Sequence, residues 1–219
     1  MRGHHLRLVA VLGGAMLFAL VLCSHGQEKR QFVESRVSIK TSLPPGAKLK
    51  DAKILSFQEL SALPDPPGVE RNDAHYQRTR IPAFPNRLGV KEGDVVTVSG
   101  WLHVVRLMGD GDYHLRFSPT ADSADHYLVA EIPDEDDVSP QLRPMIEAAR
   151  NFVKSKVLGG NGPSRQEATL PNPLYIQITG QLFFNDVNVG NNSRPDAQGL
   201  HRASRWEVHP GLVLACSKQ

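Results

Sequence analysis

The chain has 219 residues, of which 40% are hydrophobic and 22% charged, and this suits one globular domain with an extension. Its formal net charge of +2 argues against a generic polyanion binder, and its two cysteines exclude a disulfide-rich scaffold.

The first segment predicts an export signal. Arg2 and Arg7 precede an almost unbroken apolar run from Leu8 to Leu22, and Ser24-His25-Gly26 offers small residues for a cleavage site. We therefore expect a signal peptide over residues 1–26 and an exported protein, periplasmic or extracellular. The run is shorter than the about 20 apolar residues of a membrane span, so we expect no transmembrane span after signal removal. An uncleaved N-terminal anchor is the alternative.

Signal removal would also leave a single cysteine. Cys23 would leave with the signal, so Cys216 could make no internal disulfide. We expect Cys216 to be a small buried residue near the end of the last strand.

Residues 27–92 predict an irregular, proline-rich N-terminal arm. Pro44-Pro45-Gly46 and the stretch from Pro64 to Gly68 interrupt regular structure, because proline fixes φ and lacks an N–H donor. Ile54–Leu63 is the one short helix that we predict here. The arm would either pack against the domain or be partly disordered.

From Gly93 onward the pattern changes to five strand-like segments and one helix. The helix, over Leu142–Val157, has apolar residues at helical spacing on one face and ends at Gly159-Gly160. Gly100 lies at the centre of the first segment and indicates a bulge or a bend. The five segments are Val95–Leu107, Tyr113–Ser118, His126–Ile132, Leu174–Phe184 and Arg205–Ala215.

The order of these elements predicts a mainly β fold. Three strands, a helix and two strands are the elements of an OB-fold-like five-stranded barrel, here over residues 93–216, with one helix between strands 3 and 4. A long first strand that bends can pair on both sides and close the barrel. A small β-sandwich is the alternative.

Two short stretches carry the candidate site. In "GDYHLRF", residues 111–117, and in "RWEVHP", residues 205–210, an acid precedes a histidine by two positions. Alternation along a strand directs Tyr113, Leu115 and Phe117 inward and the polar side chains outward. We expect the outward side chains to be solvated or locally hydrogen-bonded. The candidate ligand-binding residues are Asp112, His114, Arg116, Glu131, Arg202, Arg205, Glu207 and His209.

A metal site is the more specific hypothesis for these residues. The side chains of Asp112, His114, Glu207 and His209 offer donor atoms that suit zinc or another divalent metal. Each i, i+2 pair lies on one face of its strand and can chelate, but the two strands need not be neighbours. A divalent metal is the one cofactor that these residues suggest.

Other features are less specific. The loop before the last strand, with Arg194 and Arg202, is locally basic at a place where OB-folds bind ligands. Trp101 and Tyr175 could stack on bases or sugars, although single aromatic residues in strands more often pack. We find no GxSxG, HExxH or CxxC motif and no phosphate-binding glycine loop, so we assign no catalytic residue.

The order of motifs resembles that of a group of uncharacterised secreted bacterial proteins. The shared stretches are "GDYHLRF", "YLVAEIPD", "ITGQLFF" followed by an Asp, and "WEVHP", over about Val95 to Leu214. The resemblance implies a secreted protein with an OB-like domain and carries over no activity. That group often has a histidine shortly after the strand that ends here at Phe184, where this chain has Asn185 to Asn188. If that histidine is a ligand in the group, Asn188 weakens the metal hypothesis.

We therefore predict an exported OB-fold-like module that binds or interacts with an unidentified ligand. The candidate partners are a protein, an oligosaccharide or a nucleic acid, and the oligomeric state is open. One alternative is a structural periplasmic component whose arm docks on a partner. The other is a metal-dependent hydrolase, such as a nuclease, that uses Asp112, His114, Glu131, Glu207 and His209.

Overall fold

The structure of the chain is a computed structural model that describes residues 36–190 and 200–216. All of these residues belong to one compact unit. The predicted signal peptide lies outside them, and so do Cys23 and Arg194. In the part that the structure describes, no helix is long and apolar enough to cross a membrane.

Five strands close into a barrel, as the sequence predicts. β2 to β6 pair in the order β2-β3-β4-β6-β5, and β5 pairs back to β2. β4 and β6 run parallel, the other barrel neighbours run antiparallel, and β1 adds to β2 in parallel. The fold is mainly β, with an OB-like five-stranded barrel. The strands are β1 (Lys53–Leu55), β2 (Val95–Leu107), β3 (Tyr113–Ser118), β4 (His126–Ile132), β5 (Ala168–Phe184) and β6 (His201–Cys216).

One longer helix lies between β4 and β5, as predicted. Within the described residues the α-helices are α1 (Val37–Lys40), α2 (Phe57–Ser61) and α3 (Arg143–Phe152). α3 continues as a π-helical turn over Val153–Val157. Its buried residues include Ile146 and Ala149, which recur at the spacing of one helical face.

The predicted helix Ile54–Leu63 is wrong in its first residues. Ile54 belongs to β1, and the helix begins only after Ser56. The Ser56 hydroxyl accepts a hydrogen bond from the Glu59 N–H, while the Glu59 carboxylate accepts one from the Ser56 N–H. This capping box, readable as S-x-x-E, places the helix start.

The last two strands begin earlier than predicted, at Ala168 and at His201, and irregular pairing accommodates the prolines within them. Leu174 pairs with Leu102 and Thr169 pairs with Val104, so residues 170–173 of β5 stand opposite one residue of β2. The two prolines of this stretch therefore need not donate to the ladder. In β6, Pro210 lies at a similar irregularity, where the pairing of β5 with β6 shifts.

The inward side chains build one hydrophobic core that includes the arm. Leu115, Phe117 and their neighbours on β3 and β4 are buried, as alternation predicts. The Phe57 ring of α2 packs edge-on against Phe117, with ring centroids 6.4 Å apart. Gly100 lets β3 approach closely, since a Cβ there would lie 2.7 Å from the Phe117 ring. The arm contributes Leu55, Phe57, Leu60, Leu63, Ile81 and Val90 to this core.

Cys216 is exposed at the last position of β6. The prediction of a buried cysteine is therefore wrong. The buried part of β6 ends at Leu214, and the strand runs two residues beyond it.

Candidate functional site

The polar residues that alternation directs outward are buried rather than solvated. Alternation assigns a side chain to one face of a sheet, but it does not reveal whether another part of the chain covers that face. The solvated alternative is wrong for the six candidates on the strand faces and for Arg205 of the basic loop. Arg202 is half-buried, and the buried ones are Asp112, His114, Arg116, Glu131, Arg205, Glu207 and His209.

Three adjacent strands bring the candidates together. β4 lies between β3 and β6, so the two histidine stretches meet across it. His114 pairs with Glu131 in the antiparallel register of β3 and β4. Val129 pairs with Glu207 in the parallel register of β4 and β6, which brings His209 beside Glu131.

The centre of the site is a group that we call the acid–imidazole cluster: Asp112, Glu131 and His209. His209 Nε2 lies 3.4 Å from Asp112 Oδ2, and His209 Nδ1 lies 3.0 Å from Glu131 Oε2. The imidazole is fully buried, and neither nitrogen makes a hydrogen bond of good geometry. One donor atom from each of the three residues lies within 4.8 Å of the others.

Two predicted metal ligands lie at the border of this cluster. His114 Nε2 is 3.8 Å from Glu131 Oε1, and Glu207 Oε2 is 3.9 Å from His209 Nδ1. The other oxygen of Glu207 accepts a hydrogen bond from Asn185 Nδ2 at 2.8 Å. The predicted metal set therefore converges only in part, and Glu131 completes the closest group.

The three candidate arginines are engaged with carboxylates. Arg202 pairs with Glu207. Arg116 Nη1 donates to Glu167 Oε1 at 2.7 Å. Arg205 pairs with Asp65 of the arm and donates from Nε to a backbone oxygen. Arg205 therefore ties the arm to β6.

The helix α1 is tied to the strands that carry the cluster. Gln181 Nε2 donates to the backbone oxygens of Ile39 and His209, at 2.9 and 2.8 Å. The Phe183 and His209 rings make an edge contact with centroids 5.6 Å apart. Lys40 Nζ lies 5.9 Å from the centroid of the Phe183 ring. The first turn of the described chain thus packs beside the cluster.

The charges of the cluster shift its pKa values in opposite directions. Burial lowers the pKa of His209, but attraction by Glu131 and Asp112 outweighs burial and the net shift is upward. Burial raises the pKa of Glu131, but His209 and His114 outweigh it and hold this pKa well below its usual range. Burial lowers the pKa of His114 to about 4 despite the attraction of Glu131. Near pH 7, His114 is therefore neutral.

The cluster has the donor atoms for either a proton or a metal cation. Without metal, a protonated His209 stands between two carboxylates. Ligands about 2.1 Å from a tetrahedral zinc ion lie about 3.4 Å apart, which matches the separation of His209 Nε2 and Asp112 Oδ2. Metal binding would displace the proton, because a coordinating imidazole must be neutral.

A backbone hydrogen bond orients the Asp112 carboxylate toward His209. Its Oδ1 accepts a hydrogen bond from the Asp134 N–H at 2.9 Å, which directs Oδ2 toward His209. Residues that orient a ligand in this way tune the affinity of metal sites.

Sequence reasoning misses several residues that surround the cluster. Asn185 lies in the segment where the predicted resemblance to secreted bacterial proteins expects a histidine, and this expectation is the only signal for it. Gln181 and Phe183 lie among the outward positions of β5, and both are buried. Their burial depends on contacts with α1, which the strand pattern does not reveal.

Trp101 and Tyr175 are not single aromatic residues. They are register partners on β2 and β5, and their ring centroids are 5.3 Å apart. Both are half-buried on the outer face of the barrel.

A cavity of about 590 Å³ lies between the arm and the start of β2, lined by residues that include Pro44, Arg80 and Lys91. No residue of the acid–imidazole cluster lines it. The cavity and the cluster are therefore separate features.

Comparison of the chain with protein-family models, with curated proteins and with solved structures finds no match. The class that the fold defines is a mainly β protein with an OB-like five-stranded barrel. The resemblance to secreted bacterial proteins stays a prediction.

Proposed function

We propose that the chain is an exported OB-like binding module that holds a divalent cation at Asp112, Glu131 and His209. The observation that carries this proposal is the His209 imidazole, fully buried between two carboxylates without a well-formed hydrogen bond at either nitrogen. Both carboxylates lie within ion-pair distance of this imidazole, Asp112 on its Nε2 side at 3.4 Å and Glu131 on its Nδ1 side at 3.0 Å. A cation coordinated by one imidazole nitrogen would take the place of the proton that these carboxylates hold there.

The donor set and its place in the barrel support the same function. Carboxylate oxygens with an imidazole nitrogen suit Zn²⁺ or Mn²⁺ and leave coordination positions for water or a ligand. Asp112 directly precedes the second barrel strand, Glu131 lies on the third and His209 on the fifth, and OB-folds bind oligonucleotides and oligosaccharides at the second and third strands. The apolar run before Ser24 supports export.

A metal-dependent hydrolase is the second candidate, and one observation favours it. Glu131 lies between two imidazoles, at 3.0 Å from that of His209 and 3.8 Å from that of His114. A metal held at Asp112, Glu131 and His209 would lower the pKa of a water bound to it, and the neutral imidazole of His114 would be the nearest acceptor for a proton outside these three residues. Glu207, 3.9 Å from His209, adds a further carboxylate.

A purely structural role would need a surface other than the described arm. Residues 36–92 bury several apolar side chains in the chain's own core, among them Phe57 and Leu60. Deletion of the residues before Gly93 would remove these side chains and destabilise the fold. Such a deletion cannot separate docking on a partner from folding.

The test is the metal content of the chain from Gln27 onward after loading with Zn²⁺ or Mn²⁺, measured by elemental mass spectrometry. We expect one ion per chain, and its loss in both Asp112→Asn and His209→Gln. His126→Gln is the matched control. His126 and His201 are exposed register partners with ring centroids 5.7 Å apart, and such a pair is an alternative zinc site.

Two results would overturn the proposal: an ion that disappears with His126→Gln and persists in Asp112→Asn, or folded wild-type protein that takes up no ion. A separate measurement tests the hydrolase candidate. Chelator-sensitive cleavage of single-stranded DNA, abolished in a Glu207→Gln variant that keeps its ion, would favour that candidate.

A further inference from the structure

The cavity between the arm and the start of β2, which we call the arm cavity, has the size of a small-molecule site. Its volume of about 590 Å³ lies within the about 300–1,000 Å³ that is typical of ligand pockets. Its walls combine proline and alanine side chains with charged groups of both signs. The cations among its lining residues are Lys48, Lys53, Arg80 and Lys91.

Two of the three carboxylates that line the arm cavity are already paired with cations. Glu92 Oε1 accepts a hydrogen bond from Arg36 Nη1 at 2.8 Å. Asp94 Oδ2 lies 3.4 Å from Lys53 Nζ. The third lining carboxylate, Asp51, is exposed to solvent. Three cations of the lining therefore face one remaining carboxylate, and the arm cavity carries an excess of positive charge.

Arg80 is a half-buried cation whose hydrogen bonds go to uncharged acceptors. Its Nε and Nη2 donate to Gln181 Oε1 at 3.1 and 2.7 Å, and Nη2 also donates to the Ser42 backbone oxygen at 3.0 Å. In the part of the chain that the structure describes, Arg80 Nη1 makes no hydrogen bond. Burial lowers the pKa of this guanidinium, and attraction by Glu92 offsets the shift only in part. The charge is therefore partly desolvated and keeps a free donor atom for an anion.

The Arg80 guanidinium is held in place before any ligand binds. Gln181 is fully buried, and its Nε2 donates to the backbone oxygens of Ile39 and His209 at 2.9 and 2.8 Å. These two bonds orient the amide so that its Oε1 faces Arg80. Gly93, with a φ of +94°, lets the Arg80 stem pack against the backbone, because a Cβ there would lie 2.8 Å from Arg80 Cδ. A side chain fixed in this way loses little freedom when it binds an anion.

We propose that the arm cavity binds a small organic carboxylate, whose oxygen accepts a hydrogen bond from Arg80 Nη1 while Lys48 and Lys91 add attraction. One free nitrogen suits a singly charged carboxylate better than a phosphate group, which carries more charge and three acceptor oxygens. This site goes beyond the cation site of the proposed function, because no residue of the acid–imidazole cluster lines it. The prolines of the walls would contact the apolar body of the ligand, and they are Pro44, Pro45 and Pro82.

The test is a titration of the chain from Gln27 onward with sodium benzoate at low ionic strength, followed by the amide NMR signals of the protein. EDTA is present throughout, so that carboxylate binding to an ion in the acid–imidazole cluster takes no part. We expect the signals of Ala47 and Gly93, which line the arm cavity, to shift with a Kd on the order of 1 mM. Benzamide has nearly the same shape without the charge, and it should bind at least about tenfold more weakly.

Substitutions of the lining cations show which groups hold the benzoate. Arg80→Met should weaken its binding at least about tenfold, because the charged donor is lost. Since Arg80 also supports the fold through Gln181, two exposed lysines supply a second test. Lys48→Gln and Lys91→Gln should each weaken binding about twofold to threefold, as each removes one exposed charge. Lys50→Gln is the matched control, because Lys50 is exposed close to Lys48 but does not line the arm cavity.

Three outcomes would overturn the proposal. The first is folded wild-type protein whose amide signals do not respond to benzoate at about 20 mM, well above the expected Kd. The second is benzamide that binds as tightly as benzoate, or a folded Arg80→Met that binds benzoate like the wild type, or Lys50→Gln that weakens binding as much as Lys48→Gln. The third is inorganic phosphate that shifts the same signals with a lower Kd than benzoate, which would assign the arm cavity to a phosphate-bearing ligand.

Discussion

A buried ion pair between Arg36 and Glu92 joins the two ends of the arm and is hydrogen-bonded to the backbone of Phe184 in β5. Arg36→Met tests how much stability this pair supplies. Arg36 Nη1 donates to Glu92 Oε1 and to the backbone oxygen of Phe184, both at 2.8 Å, and Nε donates to that of Tyr76 at 3.0 Å. Both charged side chains are fully buried. The substitution removes the cation and all of these donors.

The expected loss of unfolding free energy follows from the hydrogen bonds that the Glu92 carboxylate retains in the variant. Its carboxylate still accepts from the backbone N–H groups of Ile81 and Phe184, at 2.7 and 3.0 Å, but no cation balances its charge. Removal of one partner from a buried pair costs about 3–5 kcal/mol. Since domains have unfolding free energies of about 5–15 kcal/mol, we expect Arg36→Met to lose a large part of the total.

Urea unfolding, followed by the emission of Trp206, measures this cost. Lys53→Met is the control, because Lys53 and Asp94 form a partly exposed pair at 3.4 Å, and such pairs contribute about 0–1 kcal/mol. The reasoning is refuted if Arg36→Met costs no more than Lys53→Met at an unchanged denaturant slope.

Three further predictions concern pH, packing and reactivity. With metal chelated, acidification from pH 6.5 to 4 should destabilise the wild type more than His114→Gln. The imidazole of His114 takes up a proton in that window when the chain is unfolded, but not when it is folded, because folding lowers its pKa to about 4. Equal slopes of the urea midpoint against pH for wild type and His114→Gln would contradict this. His209 contributes in the opposite sense, since its raised pKa gives stability that is complete below pH 6.5 and lost as pH rises. Gly180→Ala should lower the thermal midpoint strongly, because its Cβ would clash with the backbone oxygen of Pro210, whereas Gly162→Ala, with open space around it, should not. In the chain from Gln27 onward, Cys216 should react with a thiol reagent almost as fast in the folded protein as in urea, because it is exposed; strong protection would show that it is covered.

The candidate site was predictable only in part. Asp112, Glu131 and His209 are all among the residues that the acid-x-histidine stretches and the strand alternation select. The metal set drawn from the two stretches alone includes His114 and Glu207 and leaves out Glu131, which lies on the intervening strand. Local spacing places two residues of one strand on a common face, but it carries no information on which strand lies next to it.

The sequence by itself determined the barrel strands, the helix between β4 and β5, and the side of each strand that faces the core. Period-two alternation and the helical spacing of apolar residues are local properties, so they are readable over ten residues at a time. Only the tertiary structure decided that the outer faces of β3, β4 and β6 are buried. Contacts such as those of Arg36 with Glu92 and of Gln181 with Ile39 join residues far apart in the chain. Burial of a polar face depends on such long-range packing, and for that reason two strand faces that look solvated in the sequence enclose His209.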